Sequence, residues 1–102
     1  MSDAVDLKPA LQARISELHP SLVELSEWLH AHPETAWKEH ESAAKCASSL
    51  REHGFAVEEN FVGLDTAFHA VAGNGPLRIG LMAEYDALPN IGHACGHNLI
   101  AT

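Results

Sequence analysis

The run LRIGLMA at residues 77–83 narrows the folds open to this chain more than any other stretch. Its apolar residues do not alternate cleanly with polar ones, so a strand formed here would need cover on both faces, as central strands of α/β sheets have. We therefore read Leu77–Met82 as a strand and the chain as α/β. That strand delivers Glu84, Tyr85 and Asp86 to its carboxyl end. Ligands of open α/β sheets bind outside the carboxyl ends of strands, so this is where a functional site is expected.

The chain leading to it alternates helix signals with turn signals. From Pro9 to Leu18 the apolar residues Leu11, Ile15 and Leu18 recur at spacings of four and three, which is helical, and Pro20 is expected to break or restart the helix. Ser21 to His32 carries Leu22, Leu25 and Leu29 on one stripe with Val23 and Trp28 beside it, and Pro33 stops it. A second long helix is expected from Trp37 to His53, burying Ala43, Ala44, Ala47 and Leu50, with Gly54 as a left-handed cap. Residues 55–59 and 66–72 look like strands with Gly63 between them. The GNGP turn at 73–76 is too short for a parallel crossover, so the strands on either side of it should pair antiparallel. Leu99 to Thr102 would begin another helix.

Size and charge bound the possibilities. A chain of 102 residues and 11.0 kDa is one domain at most and buries about 60 to 70% of its unfolded surface. Fourteen acidic against six basic residues give a net charge of -8, which repels nucleic acid and anionic membranes. No stretch approaches the roughly 18 consecutive apolar residues of a membrane span. The first thirty residues contain Asp3, Asp6 and Glu17 and lack the basic and apolar regions of a secretory signal, so a soluble, cytoplasmic protein is expected. Two cysteines, Cys46 and Cys95, make no disulfide framework, and Cys46 reads as a small apolar residue on a helix.

Cys95 stands in a different setting, the stretch AEYDALPNIGHACGHN at residues 83–98. Cys95 and His97 would face opposite ways on a helix, but an irregular turn, made easy by Gly92 and Gly96, lets both point to one side. A thiolate and an imidazole together suit zinc or another borderline transition ion. Asp86 is then either a direct ligand or the carboxylate that receives the other ring nitrogen of a metal-bound histidine. Pro89 stiffens the loop between. Two ligands fall short of a catalytic zinc site, which takes three protein ligands and an open position.

The string EYDALPNIGHACGHN closely resembles the signature of the metal-dependent amidohydrolases of peptidase family M-twenty, in the branch of aminobenzoyl-glutamate hydrolase, hippurate and indole-acetyl-amino-acid hydrolases and dipeptidase-like proteins. The form EYDALP, rather than DMDALP, is most similar to the aminobenzoyl-glutamate hydrolase and dipeptidase side. The resemblance extends through LHAHPETAWKEHESAA (29–44) and LREHGFAVEE (50–59). It implies a three-layer sandwich, a mixed sheet flanked by helices as in the zinc-exopeptidase-like catalytic domain, with residues 1–102 forming its N-terminal part. It implies that Cys95 and His97 are metal ligands and that Asp86 is a catalytic residue orienting the site. It further implies two divalent metal ions, Zn2+ or Mn2+, a bridging water that attacks an amide carbonyl, and a small amide or dipeptide substrate. The family's glutamate pair, its two later histidines and its dimerisation domain should follow the HACGHN motif. The complete enzyme is then expected to be a homodimer, and these 102 residues alone inactive.

Other readings compete at several positions. Without the resemblance, Cys95 is as well read as a buried structural thiol. His93 is taken as a residue supporting the ligands, His30 and His32 as a solvated helix end favoured by the helix dipole, and Trp28 and Trp37 as packing residues. Glu84 either tunes the site's charge or is a partly exposed strand-end carboxylate, and the acidic surplus is mostly solvated surface. Two further functional classes stand beside the metallohydrolase. One is a catalytically inactive truncated paralogue with at most weak metal binding; the other is a cysteine hydrolase using Cys95 as nucleophile and His97 as base.

Overall fold

The computed structural model describes residues 6–102. In order they form helix α1 (Leu7–Ala31), helix α2 (His40–Glu52), strand β1 (Ala56–Glu59), a 3-10 turn (Phe61–Gly63), strand β2 (Phe68–Val71) and helix α3 (His97–Ala101). Strands β1 and β2 pair antiparallel, with Ala56 opposite Val71 and Glu59 opposite Phe68. No helix among the described residues is long and apolar enough to cross a membrane.

Helix α1 opens on Asp6, whose carboxylate accepts the Lys8 amide at 3.2 Å. Contrary to expectation, Pro20 neither breaks nor restarts it. Proline removes the bond to the carbonyl four residues back, here that of Ser16, but both residues are exposed and water can hydrate the freed oxygen. The next turn is closed by the Ser21 hydroxyl, which donates to the Leu18 carbonyl at 2.8 Å. In the expected stripe Leu25 and Leu29 are buried and Leu22 is half-buried, whereas Leu11 and Ile15 of the preceding stretch are exposed because no described residue packs over the first turns of α1.

Helix α2 starts three residues later than expected, because Trp37 adopts a left-handed φ of 71° that helix cannot accommodate. Its free amides are capped from outside, the Glu34 carboxylate accepting from the Ser42 amide at 2.6 Å and the Glu41 amide at 3.1 Å. Ala43, Cys46 and Ala47 are buried, Leu50 is half-buried, and Ala44 is exposed, since it lies roughly 100° round the helix from Ala43. Gly54 caps the end at φ 87°, and the Phe55 amide reaches back to the Leu50 carbonyl at 3.1 Å.

The largest departure concerns residues 77–82, which form no strand; Leu81 and Met82 are 94% and 93% exposed. The expected antiparallel pair across the GNGP turn is accordingly not made, and β2 pairs with β1 instead. A strand covered on both faces needs partners at its edges and a layer above and below, and the described residues place none of these against the run. What forms is helices with a two-stranded antiparallel sheet, compatible with part of an α/β fold.

The core is small: Leu25, Leu29 and Cys46, with Trp28, Phe68, Tyr85 and Ala101 packed against it. Burial pushes the Cys46 thiol up to about 11, so it stays protonated as the apolar residue the sequence suggests. Helix α3 begins at His97, two residues before the expected start. It is tied to α1 by the Asn98 amide, which donates to the Ser26 hydroxyl at 3.2 Å.

Candidate metal site around Asp86 and His97

Two loops meet at the residues singled out in the sequence. Thr35 and Ala87 form an isolated parallel bridge in which the Ala87 amide donates to the Glu34 carbonyl at 2.7 Å. The segment after Pro33 thereby grips the chain immediately beyond Asp86. Leu88 and Gly92 then bond to each other in both directions, at 3.0 and 3.1 Å, closing Pro89, Asn90 and Ile91 into a tight loop. Asn90 and Gly92 both take left-handed φ values, 65° and 83°, and Gly92 lies beside the Pro33 ring. This closure returns the chain so that His93 is buried and His97, at the start of α3, faces Asp86.

The His97 Nδ1 lies 2.8 Å from the Asp86 carboxylate and 3.0 Å from the Asp86 carbonyl. Both are acceptors, so Nδ1 carries the proton and donates. In the neutral ring Nε2 is then left with its lone pair, the form in which an imidazole binds a metal. Asp86 thus receives the His97 ring nitrogen, one of the two arrangements the sequence left open. The Cys95 thiol is exposed, in a bend just ahead of Gly96, whose left-handed φ of 95° makes the turn into α3.

The convergence is partial. Among the described residues no group of three or more His, Cys, Asp and Glu side chains comes close enough together to hold a metal ion. The donor set nonetheless suits a borderline divalent ion: one presented imidazole nitrogen, one accessible thiol, and a carboxylate in the supporting position. His93 is only 8% exposed, and neither ring nitrogen has a partner among the described residues. Burial, and then the nearby His30 and His97, hold it below the usual histidine range, while Asp86 pulls the other way. The Nδ1 bond to Asp86 would serve a general base as well as a metal ligand, but among the described residues no hydrogen bond joins His97 to the Cys95 thiol, as a Cys–His nucleophile pair requires. His30 and His32 are exposed at the end of α1 as expected, His32 stacking on Trp28 with ring centroids 4.2 Å apart.

Sequence reasoning missed the polar network behind Asp86. The Tyr85 hydroxyl donates to the Thr66 carbonyl, and the Thr66 hydroxyl donates to the Glu39 carboxylate at 2.7 Å. Glu39 is only 7% exposed, a buried member of the acidic set that composition alone assigns to the surface. Burial first, and then the neighbouring Cys46 and Glu39, push the Tyr85 hydroxyl up to about 12, so it remains a donor. No local signal marks this network, because its partners lie 19 and 27 residues apart.

Comparison with known proteins agrees with the motif. The chain is 39% identical to a mouse Xaa-Arg dipeptidase over 93% of its own length and 24% of that protein. It is 35% identical to a p-aminobenzoyl-glutamate hydrolase chain of Escherichia coli over 78% of its length and 20% of that protein. It is 32% identical to the thermostable carboxypeptidase 2 of Saccharolobus solfataricus over 92% of its length and 28% of that protein. No family model matches. These relatives are named as peptidases and amidohydrolases, and the chain is similar to them over most of its own length, in line with the family its motif resembles. It spans about a quarter of the length of the curated relatives it matches.

Proposed function

We propose that this chain supplies one part of the active site of a metal-dependent amidohydrolase. The substrate would be a small molecule with a hydrolysable amide bond: an N-acyl amino acid, a dipeptide or aminobenzoyl-glutamate. The observation that carries the reading is the Asp86–His97 pair, which presents Nε2 as a metal ligand two residues from an accessible thiol. His97 and Cys95 would hold the ion, and Asp86 would fix the imidazole's tautomer and orientation. Bound there, Zn2+ or Mn2+ supplies an activated water and polarises the scissile carbonyl. The donor set accounts for part of the ligands of the two-ion site implied by the resemblance.

The same reading makes residues 1–102 the N-terminal part of a catalytic domain with a three-layer sandwich fold, acting in the cytoplasm as a homodimer. The helices and the two-stranded antiparallel sheet are compatible with part of such a fold. Titration with Co2+ tests the site. The expected outcome is a thiolate-to-cobalt charge-transfer band that Cys95→Ser abolishes and His97→Ala weakens. A cobalt spectrum indifferent to both substitutions would overturn the assignment.

A further inference from the structure

We propose that Tyr85 is a positioning residue for Asp86, and through Asp86 for the His97 imidazole; this rests on the reading of Asp86 and His97 as parts of the metal site. Residues 77–82 are exposed and unpaired among the described residues, so the chain just upstream of Tyr85 does not fix the backbone that carries Asp86. Asp86 is held instead by its two neighbours. On one side the Ala87 amide is bonded to the Glu34 carbonyl at 2.7 Å. On the other stands Tyr85, and it is anchored twice. Its ring lies parallel to Phe68, with a 4° interplanar angle and centroids 5.9 Å apart, and packs on the Leu25, Leu29 and Cys46 cluster. Its hydroxyl donates to the Thr66 carbonyl.

The acceptor is itself immobilised, because the Thr66 hydroxyl is bonded to the buried Glu39 carboxylate at the start of α2. A continuous path thus runs from the N-terminus of α2 through Glu39, Thr66 and Tyr85 to Asp86. The hydroxyl sets how far along the core the ring sits. The neighbouring carboxylate has to meet Nδ1 at hydrogen-bond distance, and a displacement of less than an ångström takes a 2.8 Å contact to a length at which it no longer dictates the tautomer. A residue needed only for packing would act through its ring, so the hydroxyl separates the two roles.

The test is the tautomer of His97 in the 102-residue chain, read from long-range proton–nitrogen NMR spectra of the imidazoles at a pH where histidines are neutral. In the unsubstituted chain His97 should show the Nδ1–H form. Tyr85→Phe keeps the ring and loses the hydroxyl; it should leave the helical circular dichroism intact while His97 moves to a mixture rich in Nε2–H. A folded Tyr85→Phe variant with an unaltered His97 spectrum overturns the positioning role and leaves the metal reading standing. Absence of the Nδ1–H form in the unsubstituted chain sinks both. If Tyr85→Phe does not fold, Thr66→Val, which removes only the bond to Glu39, decides by the same spectrum: a shifted His97 supports the path and an unshifted one refutes it.

Discussion

His97 donates through one nitrogen to two acceptors of a single residue, the carboxylate and the carbonyl of Asp86, at 2.8 and 3.0 Å. This double reception leaves Nε2 with its lone pair, the form the proposed metal site needs. Removing the carboxylate by Asp86→Ala should therefore weaken metal binding by about 10- to 100-fold, the usual cost of losing the partner of a ligating histidine. Competition against a chromophoric chelator measures it, and unchanged affinity would mean that Asp86 does not orient the ring.

Leu29 has no exposed surface, whereas Leu11 on the same helix is 57% exposed. Leu29→Ala should destabilise the chain by about 2 to 5 kcal/mol, through lost burial and the cavity left behind. Leu11→Ala should change stability by no more than about 0.5 kcal/mol. Urea denaturation of the two variants checks the contrast.

Burial alone would raise the Glu34 carboxyl, but the hydrogen bonds from Ser42 and Glu41, aided by His40, bring it below the ordinary carboxylate range. A lowered folded value means that the stabilisation is fully present above the unfolded pKa of about 4.3 and disappears as pH falls through the folded one. Glu34→Gln should thus cost about 1 kcal/mol at neutral pH, the typical worth of a helix cap, and progressively less in acid. Thermal melts of both proteins across an acidic pH series follow the difference; a gap that persists at the acid end would contradict the capping role.

The exposed run at 77–82 presents apolar side chains and unpaired backbone, the combination that favours edge-to-edge association. Leu81→Lys should reduce self-association in sedimentation velocity while leaving the circular dichroism unchanged. Equal association of the two proteins would show that the run is not the adhesive surface.

Much of the local structure was legible in the sequence. The stripe of Leu22, Leu25 and Leu29, the stop at Pro33, the cap at Gly54 and the pair of short strands all follow from side-chain period and backbone preference. The misjudged places are those where context outweighed preference. Pro20 lies on a hydrated face that tolerates a missing hydrogen bond, and Trp37 takes a left-handed φ that delays α2. The run at 77–82 has the composition of a covered strand, and no described residue covers it.

The candidate site divides in the same way. The sequence by itself determined which candidate site residues exist, Cys95, His97 and Asp86, and the glycine-bearing turn between them, because residue chemistry and local backbone freedom are properties of short segments. Only the tertiary structure decided that Asp86 receives Nδ1, that Tyr85 hangs from Thr66, and that Glu39 is buried rather than solvated. Those relationships span 11, 19 and 27 residues. They depend on how α1, α2 and the loops pack around Leu25, Leu29 and Cys46, and the period of no single segment encodes that packing.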